Sequence, residues 1–200
     1  MRNLAKIVVV TAAVLSVAAC GSTSQDATSG SGSSPSSSPA AAATGPVAGP
    51  TKAKLPECTA DDVKVAGAFG VKPTITLPAT CSAPSKLLTK DLVPGTGAGA
   101  KTGDTVTANY LLETWSDKNI VDNSFDRGQT FPVQNLGQAP VIQGWNDGLI
   151  GEKKGARRLI IIPPALGYGP QGKDPVKPNE TLVFVVDAVD VGPTTGSPQG

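Results

Sequence analysis

The chain has 200 residues, 17 basic and 16 acidic side chains, a formal net charge of +1 and no histidine. Without an imidazole, triad hydrolysis and His-ligated zinc are excluded, and the near-zero charge supplies no field toward nucleic acid, so no nucleic-acid partner is expected. The length allows one ordinary domain with tails, and of the eight aromatics only Phe69 precedes Tyr110, which puts that domain in the C-terminal half.

At the N-terminus, Arg2 and Lys6 precede an apolar stretch at 7–19. It is shorter than the roughly 20 residues of a spanning helix, so 1–19 reads as an export signal and not as a permanent membrane span. The stretch ends in Val17, Ala18, Ala19 and Cys20, which resembles a bacterial lipobox, whose cysteine is acylated and begins the mature protein. The alternative is a secretory signal cut after a small residue. A lipid on Cys20 is the only membrane attachment expected, and it would hold the protein at the outer face of the bacterial cell membrane.

Residues 20–54 are almost all Ser, Gly, Ala, Pro and Thr, a composition that buries too little apolar surface to offset its ordering entropy. They read as a flexible linker with a reach of roughly 30 Å, or as a mucin-like glycosylated segment. Residues 193–200 repeat the composition and read as a disordered tail. With Cys20 lipidated, Cys58 and Cys81 remain as an even pair in an exported protein, which predicts a disulfide; two free structural thiols are the alternative. Their separation does not fit a CxxC motif, and two thiolates without histidine make a poor metal site, so no metal or other cofactor is expected. Residues 55–85 read as a small stapled lead-in, since 62–77 mixes Val, Ala, Gly and Pro with little periodicity.

Gly95, Gly97 and Ala100 fit GxGxxG/A, and Lys101 with Thr102 adds a near miss to a phosphate-binding loop. Such loops need a helix directly after the glycines. Here Val106, Ala108, Tyr110 and Leu112 alternate with Thr105, Thr107, Asn109 and Leu111, the period of a strand, so 95–100 is read as a turn. Strands are predicted at 86–93, 104–115, 130–135, 156–162 and 181–191. In the last, Leu182, Phe184, Val186 and Ala188 share a face. One short helix is predicted over 143–149, with Trp145 and Leu149 on its inner face and Asn146 and Asp147 facing out. The fold class is α+β, an antiparallel sheet burying its apolar face against that helix.

Five stretches occur in sequence: GDTVTANY (103–110), VDNSFDRGQTF (121–131), VIQGWNDGL (141–149), RRLIIIPPALGYG (157–169) and NETLVFVVDAVDV (179–191). In order and spacing they resemble the FKBP-type peptidyl-prolyl cis-trans isomerases, the family that binds tacrolimus and rapamycin. The resemblance covers about half the chain, with a domain at 86–192. It implies a sheet half-wrapped around one short α-helix, with the active pocket between them. Carried over, the catalytic set would be Tyr110, Asp122, Phe131, Ile142, Trp145, Tyr168 and Phe184, with Val121, Val141 and Val176 as further substrate contacts. Trp145 would form the floor under the proline ring, while the Tyr168 hydroxyl and the Ile142 N–H would each donate to a substrate carbonyl. Val141 and Phe184 would be walls, and Phe131 would sit on the rim.

By residue type alone most of these side chains would be ordinary core. Asp122 reads equally as a turn cap within Asp-Asn-Ser, and Arg127 either as its partner or as a solvated side chain. Isomerisation needs no acid, base, nucleophile or metal, so the lack of histidine does not count against it. Partners expected on this reading are proline-containing polypeptides and tacrolimus- or rapamycin-type macrolides, with the protein a monomer.

Three departures from the family pattern are visible. Val121 stands where an aromatic is usual, with Phe125 four residues on as a candidate to fill the gap, although it aligns with a variable rim position. One extra residue occurs around Asn135. The loop 170–178 is one residue shorter, with Lys177 in place of a typical proline. The second reading is therefore a catalytically weak binding or chaperone lipoprotein, and a third is a structural lipoprotein presenting its linker.

Overall fold

The structure, a computed structural model, describes residues 55–194. The expected signal at 1–19, Cys20 and the linker at 20–54, and residues 195–200 of the tail lie outside the described residues. In chain order the elements are β1 (Lys64–Ala66), β2 (Thr74–Thr76), β3 (Leu88–Val93), β4 (Thr96–Gly99), β5 (Asp104–Thr114), β6 (Ile120–Asn123), β7 (Phe131–Val133), α1 (Gln143–Gly148), β8 (Lys153–Lys154), β9 (Arg157–Ile162) and β10 (Leu182–Pro193). Single 3-10 turns at Pro164–Leu166 and Gly169–Gln171 precede β10. The main sheet is antiparallel in the order β3-β9-β10-β5-β6, with β7 also on β5; β1-β2 and β4-β8 form separate pairs.

The central strands β9 and β10 are apolar on both faces because both are covered. Leu182, Phe184, Val186 and Ala188 join Val106, Ala108, Tyr110 and Leu112 in the core facing α1. Val183 and Val185, with Leu111, Leu159 and Ile161, face the other way. Between Ala188 and Asp190 the register with β5 shifts, leaving Val189 unpaired and outward while Val191 returns to the α1 side. α1 approaches β9 closely through its glycines: a Cβ on Gly144 would lie 2.3 Å from the Ile162 Cγ2.

The lead-in is the second cover. Val63, Ile75 and Leu77 pack on the face of the sheet opposite α1, and Cys58 and Cys81 are joined by the expected disulfide. Strands of three residues are too short to show a period, which is why 62–77 looked patternless. The β1–β2 loop is held by Arg157, which donates to the Gly67 and Val71 carbonyls at 2.7 Å each, and by Asp187, which accepts the Gly70 N–H at 2.7 Å.

Four local expectations are corrected. Residues 95–100 are not merely a turn, since Thr96–Gly99 forms β4 against β8. A Cβ at Gly95 would lie 2.6 Å from the Lys153 and Lys154 carbonyl oxygens, so this glycine serves backbone approach. Asn146 does not face out; it is 3% exposed and hydrogen-bonded to the loop before α1. The strand predicted at 130–135 is limited to Phe131–Val133, and Asn135 adopts φ 57°. Residues 193 and 194 do not belong to the expected tail, because Gly192 and Pro193 pair with Thr105 and Asp104, and the Thr194 hydroxyl donates to the Gly103 carbonyl at 2.7 Å.

Candidate active site

Each wall of the site comes from a different element. β5 directs Tyr110 and Leu112 toward α1. Opposite them the β5–β6 register shifts between Leu112 and Glu113, leaving Val121 without a partner while Asp122 pairs with Leu112. That bulge lets the consecutive residues Val121 and Asp122 serve the same side of the sheet. β7 supplies Phe131, α1 and its approach supply Val141, Ile142 and Trp145, and β10 supplies Phe184. The stretch between β9 and β10 adds Tyr168 and Lys173. Together, Val121 apart, they line an open cavity of ≈ 420 Å³.

Tyr110, Asp122, Phe131, Val141, Ile142, Trp145, Tyr168 and Phe184 all line that cavity. Val121 and Val176 do not; they line an adjoining recess of ≈ 240 Å³, and Val176 is 6% exposed within the core. Phe125 does not fill the space beside Val121, because it packs on the opposite face with Leu111 and Ile75. Leu112, Pro140 and Lys173 are lining residues that sequence reasoning missed.

The floor is an aromatic cluster. Trp145 lies 5.2 Å from Tyr110, 5.3 Å from Phe184 and 5.8 Å from Phe131, ring centre to ring centre, and all three contacts are edge-on. Edge-on packing around the indole leaves a flat apolar surface. Its Nε1 is buried with no acceptor. The Ile142 N–H, at the start of α1, and the half-buried Tyr168 hydroxyl also have no hydrogen-bond partner among the described residues. Burial raises the Tyr168 pKa, with the Asp122 charge adding to it, so the phenol stays protonated and able to donate.

One wall is a closed polar triad. The Tyr110 hydroxyl donates to Asp122 at 2.5 Å, Arg127 donates to both Asp122 and the Tyr110 oxygen, and the guanidinium carbon sits 5.6 Å from the Tyr110 ring centre. Partial burial pushes the Asp122 carboxyl up, but hydrogen bonds from Tyr110 and Arg127 outweigh it and hold the carboxyl below its usual range. Arg127 is thus the partner of Asp122. The turn is capped instead by Asn123, whose side-chain carbonyl accepts the Asp126 N–H at 2.8 Å.

Two residues position the site without touching the cavity. The Ser124 hydroxyl is fully buried, accepts the Tyr110 N–H at 2.9 Å and donates to Asn109 at 3.0 Å, pinning β5 where Tyr110 leaves it. The Asn146 amide accepts the Gly137 and Ala139 N–H groups at 2.9 and 3.0 Å and donates to the Ala139 carbonyl at 3.0 Å. It fixes the loop that delivers Pro140, Val141 and Ile142. No cluster of three or more metal-ligating side chains occurs among the described residues.

Comparison with known proteins follows the same boundaries. Residues 97–189 match the family model described as FKBP-type peptidyl-prolyl cis-trans isomerase; β1, β2 and β3 lie outside the match. The chain is 39% identical over 120 residues to a probable FK506-binding protein of Corynebacterium glutamicum, covering 59% of this chain and 97% of the relative. It is 41% identical over 110 residues to an FK506-binding protein of Streptomyces anulatus, covering 54% of this chain and 88% of the relative. The crystal structure of FkpA from Escherichia coli is similar with a TM-score of 0.50 at 38% identity, over 55% of this chain and 49% of that one.

Proposed function

We propose, from the premise that this chain belongs to the FKBP-type peptidyl-prolyl cis-trans isomerases, that its pocket over Trp145 accelerates X-Pro rotation by binding the twisted amide without covalent chemistry. The barrier of about 18–20 kcal/mol is the loss of C–N resonance. The planar amide is the more charge-separated form, so water favours it over the twisted state. A cavity walled by Trp145, Tyr110, Phe131 and Phe184 withdraws that preference and gives the proline ring a flat seat. The Tyr168 hydroxyl and the Ile142 N–H would hold the flanking carbonyls while the amide turns. Each tenfold of rate needs about 1.4 kcal/mol, so a few such terms suffice.

The observation that carries this reading is that three donors without acceptors among the described residues, on Ile142, Trp145 and Tyr168, belong to residues lining one aromatic-walled cavity. Proline-containing polypeptides and FK506-type ligands fit it. The test is isomerisation of an Ala-Leu-Pro-Phe peptide by the purified protein, with and without rapamycin. Tyr168→Phe should lower kcat/KM by roughly fivefold, the value of one hydrogen bond, and rapamycin should abolish the acceleration. A folded sample giving no acceleration would shift the reading to a binding or chaperone module, with the recess at Val121 as the reason.

The proposed setting is outside the cytoplasm, on a lipid carried by Cys20. The run Val17, Ala18, Ala19, Cys20 supports it, as does a disulfide of the kind oxidising compartments sustain. Cys20→Ser should abolish incorporation of labelled fatty acid and move the protein out of the membrane fraction; retained label would refute the anchor.

A further inference from the structure

Two cavities meet at Tyr168. The pocket over Trp145 and the ≈ 240 Å³ recess beside it share Leu112, Asp122, Tyr168 and Lys173. The recess is open because Val121 ends short at the β6 bulge and Phe125 packs on the other face of the sheet. Its inner surface is apolar, from Leu112, Val121, Pro175 and Val176. A proline seated on Trp145 therefore places a neighbouring residue, one chain step of about 3.8 Å away, at the mouth of this second space.

The charges around the mouth are not all paired. Asp122 is already occupied by Arg127 and the Tyr110 hydroxyl. Lys173 is exposed and makes no ion pair among the described residues; its ammonium rests 5.6 Å from the Tyr168 ring centre. Among the described residues it is the single cationic side chain lining either cavity. Asp174 lines the recess without an ion pair among the described residues but does not reach the main pocket.

We infer that Lys173 makes this pocket selective for an acidic side chain next to the proline, the aliphatic stem entering the recess and the carboxylate meeting the ammonium. The inference rests on the isomerase reading of the pocket. An exposed pair of this kind changes rates by roughly two- to fivefold, and the effect shrinks as salt shortens the Debye length from about 10 Å at 0.1 M.

The experiment measures kcat/KM of the full chain on two peptide series, Ala-Xaa-Pro-Phe and Ala-Leu-Pro-Xaa, with Xaa as Glu, Gln or Lys. Each protein's Glu rate is divided by its own Gln rate, so a general change in activity drops out. Wild type should give a Glu/Gln ratio of two to five in one series at low salt. The ratio should fall to one in Lys173→Gln, invert in Lys173→Glu and increase in Asp174→Asn. A ratio of one in both series, or a preference that survives Lys173→Glu, would overturn the inference. The wild-type rate on Ala-Leu-Pro-Phe judges the isomerase reading separately, because that peptide carries no charge beside the proline.

Discussion

Toward the β1–β2 hairpin the sheet's buried side chains are aliphatic, with Trp115 and Phe125 only partly buried beside them, and its buried ion pair is matched on every side. Arg157 donates to Asp187 through Nε at 2.5 Å and Nη2 at 2.7 Å, and spends its other bonds on the Gly67 and Val71 carbonyls. Toward α1 the same strands present aromatic rings, and the indole of Trp145, the Tyr168 hydroxyl and the Ile142 N–H have no acceptor among the described residues. A buried donor without a partner costs about 1–3 kcal/mol. One face therefore avoids that cost; on the other the buried Trp145 indole N–H carries it, while the part-exposed Tyr168 hydroxyl and Ile142 N–H stay open to a ligand's carbonyls. The two covers differ in what their cavities offer: the space of ≈ 340 Å³ under the disulfide-bonded lead-in has no aromatic lining, whereas the one under α1 and its loop is walled by aromatic rings.

The largest effect that would sharpen this contrast comes from breaking the sealed side. Asp187→Ala leaves a guanidinium 1% exposed with no counter-charge and releases the hairpin loop. Loss of about 3–5 kcal/mol of stability is expected in urea unfolding. Arg157→Met combined with Asp187→Leu should recover most of it, since neither charge is then stranded. Because the pair lies across the sheet from the pocket, kcat/KM of the folded fraction should stay near wild type. A parallel fall in kcat/KM would show that the hairpin shapes the pocket and that the two faces are not independent.

The sheet and the floor of the site were legible in the sequence for a local reason. Period-two alternation in 104–115 and 181–191 sets which side chains face α1, and Tyr110, Trp145 and Phe184 follow from it together with the five matching stretches. What escaped depends on distant geometry. Asn146 lies in a helix of six residues, too short for a wheel to separate inside from outside, and its burial is decided by the loop it clamps. Gly95 and Gly97 imitate a phosphate loop because close backbone approach at the first and a positive φ at the second call for glycine as phosphate binding does. Phe125 and Val121 are four residues apart, yet the bulge in β6 and the turn after it send them to opposite faces. Lys173 has no periodic context at all; only the path between β9 and β10 brings it to Tyr168.

Glu152 offers a smaller effect and a test of whether orphaned polar groups belong only to the ligand side. Its carboxyl is fully buried, with both oxygens unpartnered among the described residues. Arg158, the nearby cation, is already committed to Asp91 and to the Gly148 and Ile150 carbonyls. Burial pushes the carboxyl up to about 8; the Arg158 charge opposes this, and Asp91 and Asp187 reinforce it. The folded-state pKa thus lies above the unfolded value of about 4.5, and the unfolded chain loses its proton first as pH rises. Stability should fall by about 1.4 kcal/mol per pH unit between roughly 4.5 and 8, reaching about 3 kcal/mol by pH 7. Glu152→Gln should remove that slope, which urea unfolding at pH 5, 6, 7 and 8 will show. Since Glu152 lines neither cavity, rapamycin should leave the slope unchanged while raising stability at every pH. A slope abolished by rapamycin would tie this carboxyl to the pocket and break the division between the two faces.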